Sequence, residues 1–191
     1  LIWETLKDLQ LIRIDRANKH HLNRLVEKLS PDVIYERSHY GMISGVQVAI
    51  NHEIQHILEV NSPNVEERKK LSGNSLLTSR AWRKDCWAFS HTDHVLTVST
   101  HLAELLEITN IAKKWSVTPN AIRLGQHTES TLHASRKSLQ IDDAAVLLGF
   151  VGSIFPWHGV DLIIHTVAHL QQRGRRVQAM IVGDGAILEE L

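Results

Sequence analysis

The stretch from Val146 to Gly185 constrains the fold more than any other part of the chain. It opens with the apolar run Val146–Val151, which suits a strand buried on both faces. After a Gly-Ser turn, apolar residues recur from Gly159 at helical spacing until about Gly174. A second apolar run, residues 177–182, is closed by a Gly-Asp-Gly turn. Strand, crossover helix and parallel strand predict one unit of a doubly wound α/β sheet, which binds ligands at the carboxyl ends of its strands.

The composition indicates which partners and which cell compartment to expect. Lys and Arg number 21 and so do Asp and Glu, and no basic cluster is interleaved with aromatic residues, so we expect no nucleic acid partner. The single Cys86 can form no internal disulfide, which fits a reducing compartment. No apolar run approaches the ~20 residues that span a bilayer. We therefore predict a cytoplasmic protein, with peripheral contact at the inner face of the membrane left open.

The remainder of the chain alternates helix and strand patterns, which predicts α/β structure throughout. One or two helices are expected in residues 1–30, and a long polar helical region over residues 65–91 should break near Gly73. Four strands are expected before residue 119, at about 32–37, 54–60, 94–98 and 115–118. The chain begins without Met and ends within an expected helix, so we expect a fragment.

Four motifs, in order, resemble glycosyltransferase family four, whose retaining members have the GT-B architecture of two Rossmann-like domains. GFVGSIFPWHGVDLII followed by IVGDG resembles the donor-binding segment. PDVIYERSHYGMISGVQVAI followed by ILEVNSP resembles the second half of the acceptor-side domain. Asp85 followed by TDHVLTVS resembles a family helix and strand, and VTPNAI resembles the interdomain turn.

The resemblance implies two doubly wound domains, both incomplete in this chain. Residues 1–118 would be the C-terminal half of the acceptor-side domain, and residues 119–131 the connector. Residues 132–191 would be the N-terminal half of the nucleotide-sugar-binding domain.

The resemblance also implies a reaction. A hexose-like sugar would pass, with retention, from a nucleoside diphosphate sugar to a hydroxyl of a glycan or lipid-linked acceptor, as in polysaccharide biosynthesis. No cofactor or metal would be required. The family's glycine-rich loop and paired-glutamate motif are not found, so activity is expected only in a complete chain, and a non-catalytic binding fragment is an alternative. The family's nucleophile is unsettled, so no catalytic residue is named.

Four residues are predicted to bind the donor diphosphate. Gly152 lets the backbone approach a phosphate, and the helix beginning at Gly159 offers free N–H groups and a partial positive charge. Family members carry an Arg and a Lys where this chain has Ser153 and His158. His158 can replace Lys only when protonated, so activity should fall as it deprotonates. The alternative is that Trp157 and His158 only pack the loop.

Other polar residues lie at or beyond the ends of predicted strands, and they are candidates for the cleft or the acceptor side: Glu36, Arg37, Glu59, Asn61 and Ser99. The family often has a His in the position of Asn61, near the transferred sugar. Structural alternatives remain open: a turn-forming Asn61, an ion pair between Arg37 and a carboxylate, and N-capping by Ser99.

His52-Glu53-Ile54-Gln55-His56 matches the H-E-x-x-H signature of zinc metallopeptidases. On one helix the two histidines could share a zinc ion. The helix should end near Asn51, however, and in the strand that follows the two histidines would be roughly 13 Å apart. A chance match is the favoured interpretation, and the metallopeptidase is kept as an alternative.

Overall fold

The structure, a computed structural model, describes residues 1–121 and 136–191. The chain divides into two compact units, Leu1–Ala121 and Ile122–Leu191. The predicted connector, residues 119–131, lies mostly outside the described residues, so its boundaries stay a prediction. No described helix is both long and apolar enough to cross a membrane.

The first unit alternates helices with strands, as predicted. Its strands are β1 (Val33–Arg37), β2 (Gln55–Val60), β3 (His94–Thr97) and β4 (Trp115–Val117). Its helices are α1 (Ile2–Leu29), α2 (Ser44–Asn51), α3 (Asn64–Ser72), α4 (Thr78–His91), α5 (Thr100–Leu105) and α6 (Ile108–Ile111). Residues 1–30 form a single helix. The break near Gly73 is confirmed, because this residue ends α3 with a positive φ of 76°.

The four strands are parallel and lie in the order β1-β2-β3-β4. Side chains alternate along β2: His56, Leu58 and Val60 are buried, whereas Ile57 and Glu59 between them are partly exposed. The buried side chains form the core with α2, α4, α5 and α6. Within residues 1–121 these helices cover one face of the sheet. An α/β fold with a parallel sheet is therefore confirmed, while a sheet covered on both faces stays a prediction.

α1 lies over α2 and is held by buried polar contacts. Asp15 accepts hydrogen bonds from the backbone N–H groups of Ile43 (3.1 Å) and Ser44 (3.0 Å), at the start of α2. Its second oxygen is 3.1 Å from the Lys84 ammonium on α4. Because α2 has no capping side chain of its own, Asp15 supplies the acceptor that the helix end needs.

The second unit contains β5 (Val146–Val151), α7 (Val160–Gln172) and β6 (Val177–Val182), with a 3-10 turn at Pro156–His158. The strands pair in parallel from Val146↔Val177 to Val151↔Val182. The predicted strand–helix–strand unit is thus confirmed. The prediction that β5 is buried on both faces is wrong: Val146 is 63% and Val151 is 80% exposed. Within residues 136–191 the sheet has two strands, and α7 is the helix that packs against it.

Candidate functional site

A cavity of about 240 Å³ opens at the carboxyl ends of the strands of the first unit. This edge is where parallel α/β sheets bind their ligands. The cavity contains two of the predicted residues, Glu59 and Asn61. It is lined by Tyr35, Glu59, Asn61, Leu96, Thr97, Thr118, Pro119, Asn120 and Ala121.

Glu59 is the centre of the hydrogen bonding in this cavity. Its carboxylate accepts hydrogen bonds from the Tyr35 hydroxyl and from the Asn61 side-chain amide, the latter at 2.5 Å. These two donors, followed by the charge of Arg37, hold the pKa of Glu59 below its usual value. Glu59 is therefore an ionised acceptor at neutral pH.

Asn61 has an unused acceptor. Its Oδ1 atom is shielded from solvent and accepts no hydrogen bond from the described part of the chain. A shielded carbonyl oxygen without a donor is unfavourable by about 1–3 kcal/mol. A ligand hydroxyl in the cavity would supply the donor. The Asn61 amide group donates to Glu59, so this hydrogen bond holds the side chain in the cavity and does not close a turn.

Glu36 does not enter this cavity. Its carboxylate lies on the helix-covered face of the sheet, 3.1 Å from the Nε2 atom of buried His56. It also packs on α2: a Cβ atom added to Gly45 would come within 2.2 Å of the Glu36 carboxylate. The structure therefore gives Glu36 a packing and pairing role inside the first unit.

Arg37 and Ser99 have contacts of their own. Arg37 is opposite Glu59 in the strand register, and its charge acts on that carboxylate. The Ser99 hydroxyl accepts the N–H of Leu102 at 3.1 Å and so caps α5. The capping alternative for Ser99 is confirmed, and Ser99 is not among the residues that line the cavity.

The loop after β5 is shaped by backbone contacts with the segment after β6. The Gly152 N–H donates to the Val182 carbonyl (3.0 Å), and the Ile154 N–H donates to the Asp184 carbonyl (2.8 Å). A Cβ atom on Gly183 would lie 1.8 Å from the Gly152 carbonyl oxygen. Gly183 is therefore needed for the two backbones to approach each other.

Beyond this contact the loop brings His158 back to Ser153. The His158 Nδ1 atom hydrogen-bonds to the Ser153 carbonyl, and since a carbonyl only accepts, Nδ1 carries the proton. No partner for Nε2 is seen among the described residues. A neutral His158 thus offers a lone pair at Nε2, and only the protonated ring offers a second N–H donor.

The start of α7 has features for and against an anion. Gly159, in the left-handed conformation with φ 65°, precedes the helix, and no side chain caps it. Its first N–H groups and the positive end of its dipole therefore favour a negative charge. Asp161 in the first turn already supplies one such charge. A bound diphosphate would be repelled by Asp161.

The H-E-x-x-H match is divided between two elements. His52 follows the end of α2 and contacts Asn23, with 3.0 Å from Nε2 to Oδ1. Glu53 has a positive φ of 55°, which ends the helical path. His56 lies on β2, its Nδ1 2.8 Å from the Thr92 hydroxyl. In residues 1–121 and 136–191 no three His, Cys, Asp or Glu side chains are grouped to hold a metal ion. The metallopeptidase is not favoured.

Comparison with protein families agrees with the fold of the first unit. The family model described as Glycosyltransferase Family 4 matches residues 5–126, which is more than half of the chain. The chain belongs to Glycosyltransferase Family 4. No curated protein matches it. The family 4 match covers the cavity at the sheet edge, including Glu59 and Asn61, and supports a glycosyltransferase function in general.

Seven of the nine residues that line the cavity in the family 4 unit were not predicted as site residues, and Tyr35, which donates to Glu59, is one of them. Alternation along β1 places Tyr35 on the same face as Arg37 and opposite to Glu36. Applied to the sequence, this period of two would have separated Glu36 from the other candidates. It would also have drawn attention to Tyr35.

Proposed function

We propose that the chain binds a nucleoside diphosphate sugar and serves in a retaining, GT-B type transfer of a hexose-like sugar to a hydroxyl of a glycan or lipid-linked acceptor. The match to family 4 over residues 5–126 carries this proposal. In the transfer, the bond between the anomeric carbon and the diphosphate breaks. A new bond from that carbon to the acceptor oxygen forms on the same side, and the hydroxyl proton is released.

The donor diphosphate is proposed to bind at the loop formed by Gly152, Ser153, His158 and Gly159. Two features support this: the uncapped start of α7, and the Nε2 atom of His158, for which no partner is seen among the described residues. Negative charge grows on the diphosphate as it leaves. A protonated His158 and the α7 N–H groups would stabilise that charge.

The cavity of the first unit is proposed to hold hydroxyl groups of a sugar. Ionised Glu59 and the shielded Oδ1 of Asn61 are both acceptors, and sugar hydroxyls are donors that suit them. The charge of Arg37 beside Glu59 helps to keep the carboxylate ionised. The proposal requires no metal or cofactor besides the donor itself.

Calorimetric titration of residues 1–191 tests donor binding with UDP, UDP-glucose and GDP-mannose. We expect His158→Ala to weaken nucleotide binding about tenfold, the loss of one charge-assisted hydrogen bond. Asp161→Asn should strengthen binding by about two- to fivefold, because it removes a repelling charge at the helix end. His165→Ala is the matched control, since His165 is exposed like His158 but lies on α7, outside the loop, and it should leave binding unchanged.

The same titrations separate the two parts of the proposal. Asn61→Ala should leave binding of the nucleotide unchanged, because Asn61 lines the cavity of the first unit and the proposed donor loop is in the second. If a protonated His158 contacts the diphosphate, the affinity of the wild type should fall with rising pH more than that of His158→Ala. A wild type that binds none of the three ligands, or a His158→Ala variant that binds like it, would refute the donor site. The expectation that residues 1–191 bind without turnover is checked by assaying the same samples for free sugar and free nucleotide.

A further inference from the structure

A second and larger cavity lies among the helices of the first unit. Its volume is about 660 Å³, against about 240 Å³ for the cavity that contains Glu59 and Asn61. Proteins hold small molecules in cavities of roughly 300–1,000 Å³. Residues of α3, α4 and α5 line it, together with the turn between α3 and α4. It shares no lining residue with the smaller cavity, so the two are separate sites.

One wall of the larger cavity is a face of α4. Trp82 is four residues after Thr78 and three after Ser79, so the three side chains lie on the same side of the helix, and all three line the cavity. Trp82 is partly buried and packs against both hydrophobic clusters of the first unit. This packing holds an indole ring in place at the wall of the cavity.

The turn between α3 and α4 is anchored to buried groups. The Ser75 N–H donates to the Thr78 hydroxyl (3.0 Å), which donates back to the Ser75 carbonyl (3.0 Å). The Ser75 hydroxyl donates to the buried carboxylate of Asp8 on α1. Arg68 also contacts this carboxylate at 3.1 Å, and the Tyr40 hydroxyl donates to it at 2.9 Å. This side of the cavity is therefore formed before any ligand arrives, which lowers the entropy cost of binding.

Three polar groups that line the cavity have unused hydrogen-bonding capacity. They are the side-chain amide of Asn74, the hydroxyl of Ser79 and the indole N–H of Trp82, and none has a partner within residues 1–121 and 136–191. The amide and the hydroxyl can each donate and accept, and the indole N–H can only donate. Together they can bind several hydroxyl groups of one ligand.

The rest of the lining is neutral or apolar. The charged residues of the cavity, Glu66 and Lys69, are paired with each other at 2.7 Å. Val65 and Leu106, which also line it, are buried, and Leu105 is 53% exposed. The cavity thus combines apolar side chains and an indole ring with neutral hydrogen-bonding groups.

This combination selects among classes of ligand. A phosphate would find no cation among the lining residues that is not already paired. An alkyl chain would cover the polar groups without supplying partners for them. A neutral saccharide suits both parts of the lining, because its C–H faces pack on an aromatic ring while its hydroxyls donate and accept hydrogen bonds.

We propose that the cavity lined by α3, α4 and α5 binds a neutral saccharide. The ring of Trp82 would pack on a C–H face of one sugar unit, and Asn74 and Ser79 would hydrogen-bond its hydroxyls. The inference depends neither on the donor loop of the second unit nor on the smaller cavity. If the proposed transferase function also holds, this cavity would bind a part of a glycan acceptor away from the reacting hydroxyl.

Titration of residues 1–191, followed by NMR through the indole N–H signal of Trp82, tests the proposal. Loss of one indole signal in Trp82→Phe identifies it. The probes are maltotriose, cellotriose and mannotriose, and the comparison ligands are UDP, which is charged, and cyclohexanol, an apolar ring with one hydroxyl. We expect at least one trisaccharide to shift the signal with a dissociation constant of about 1 mM, since only a few neutral hydrogen bonds are gained. UDP and cyclohexanol should bind at least about tenfold more weakly at this signal.

Variants of exposed residues locate the binding. Asn74→Ala/Ser79→Ala should weaken trisaccharide binding about tenfold, because two neutral hydrogen bonds are lost. Ser79→Phe should abolish it by filling the cavity. Asn51→Ala/Asn110→Ala is the matched control, since both are exposed asparagines of the first unit that do not line the cavity, and it should bind like the wild type. Because all these side chains are exposed, thermal unfolding should be unchanged in each variant.

Three results would overturn the proposal. The first is a Trp82 signal that no trisaccharide shifts up to about 20 mM, well above the expected dissociation constant. The second is an equal or tighter response to UDP or to cyclohexanol, which would assign the cavity to anions or to apolar molecules. The third is a control that weakens as much as Asn74→Ala/Ser79→Ala. Signals of the second unit report UDP binding in the same titrations, so failure of the donor site is recognised separately.

Discussion

The strands of both units pair in parallel but differ in burial. Val60 and Val95 in the first unit are fully buried, whereas Val146 and Val151 in the second are 63% and 80% exposed. The more exposed strand β5 (VLLGFV) is also the more apolar one, whereas β2 (QHILEV) contains His56 and Glu59. The first sheet has four strands under a layer of helices, and the second has two strands and one packed helix in the described chain. An apolar run thus specifies a strand, and its neighbours specify how far it is buried.

The two units also use different means to fix their loops. In the first, buried charged groups hold the segments between strands: Asp15 caps α2, and Asp85 accepts the backbone N–H of Gly41. In the second unit, the close contact between the backbones of Gly183 and Gly152 holds the loop after β5. The buried ionisable groups make the stability of the first unit sensitive to pH, and the close backbone contact makes the second unit sensitive to a side chain added at Gly183.

Asp85→Asn should show the largest effect. Burial raises the pKa of Asp85 from 3.8 to about 7, against the smaller effects of the Gly41 hydrogen bond and of Lys84. The folded state therefore binds more protons than the unfolded state between these values, and the wild type loses stability as the pH rises through them. Relative to the wild type, the free energy of unfolding of Asp85→Asn should increase by about 4 kcal/mol from pH 4 to pH 8. Urea unfolding across this range measures it. A constant difference would mean that Asp85 ionises normally and that buried charge does not make the first unit sensitive to pH.

Asp15→Ala should lower the free energy of unfolding by about 3 kcal/mol, because it leaves two backbone N–H groups and the Lys84 charge without their acceptor. Asp15→Asn is the matched variant, since its amide oxygen can still accept from Ile43 and Ser44. It should recover about half of the loss. If both variants lose the same amount, the charge pair with Lys84, rather than the capping of α2, stabilises this contact.

Gly183→Ala should cost about 2 kcal/mol, because the new Cβ atom would lie 1.8 Å from the Gly152 carbonyl oxygen. Hydrogen exchange gives a more local test than the free energy of unfolding. The amides of Gly152 and Ile154, which donate to Val182 and Asp184, should exchange with solvent faster than in the wild type. Hydrogen exchange measures both amides.

Gly149→Ala is the control for that experiment, since a Cβ atom added to this glycine of β5 would meet no atom within 4 Å. It should cost less than about 1 kcal/mol and leave the two amides protected. Equal exchange in the two variants would contradict the view that close backbone contact shapes the second unit.

The candidate site was predictable in part. Turn residues after apolar runs located Glu59 and Asn61 near the edge of the sheet, and both line its cavity. The same reasoning included Glu36, which faces the helices and pairs with His56. Tyr35 was overlooked, although alternation along β1 places it beside Arg37. The position of a residue in the chain showed that it lies at the end of a strand. The face of the sheet on which its side chain lies decides whether it lines the cavity.

Local periodicity and turn residues were enough to determine the order of helices and strands and the ends of α1 and α3. These features depend on contacts between residues close in the chain, and their energies are set there. Tertiary structure alone decided which apolar runs were buried, which face Glu36 took, and that α1 turned its acids inward. Each of these depends on partners far away in the chain, such as Arg68 and Lys84 for α1, and no local pattern contains them.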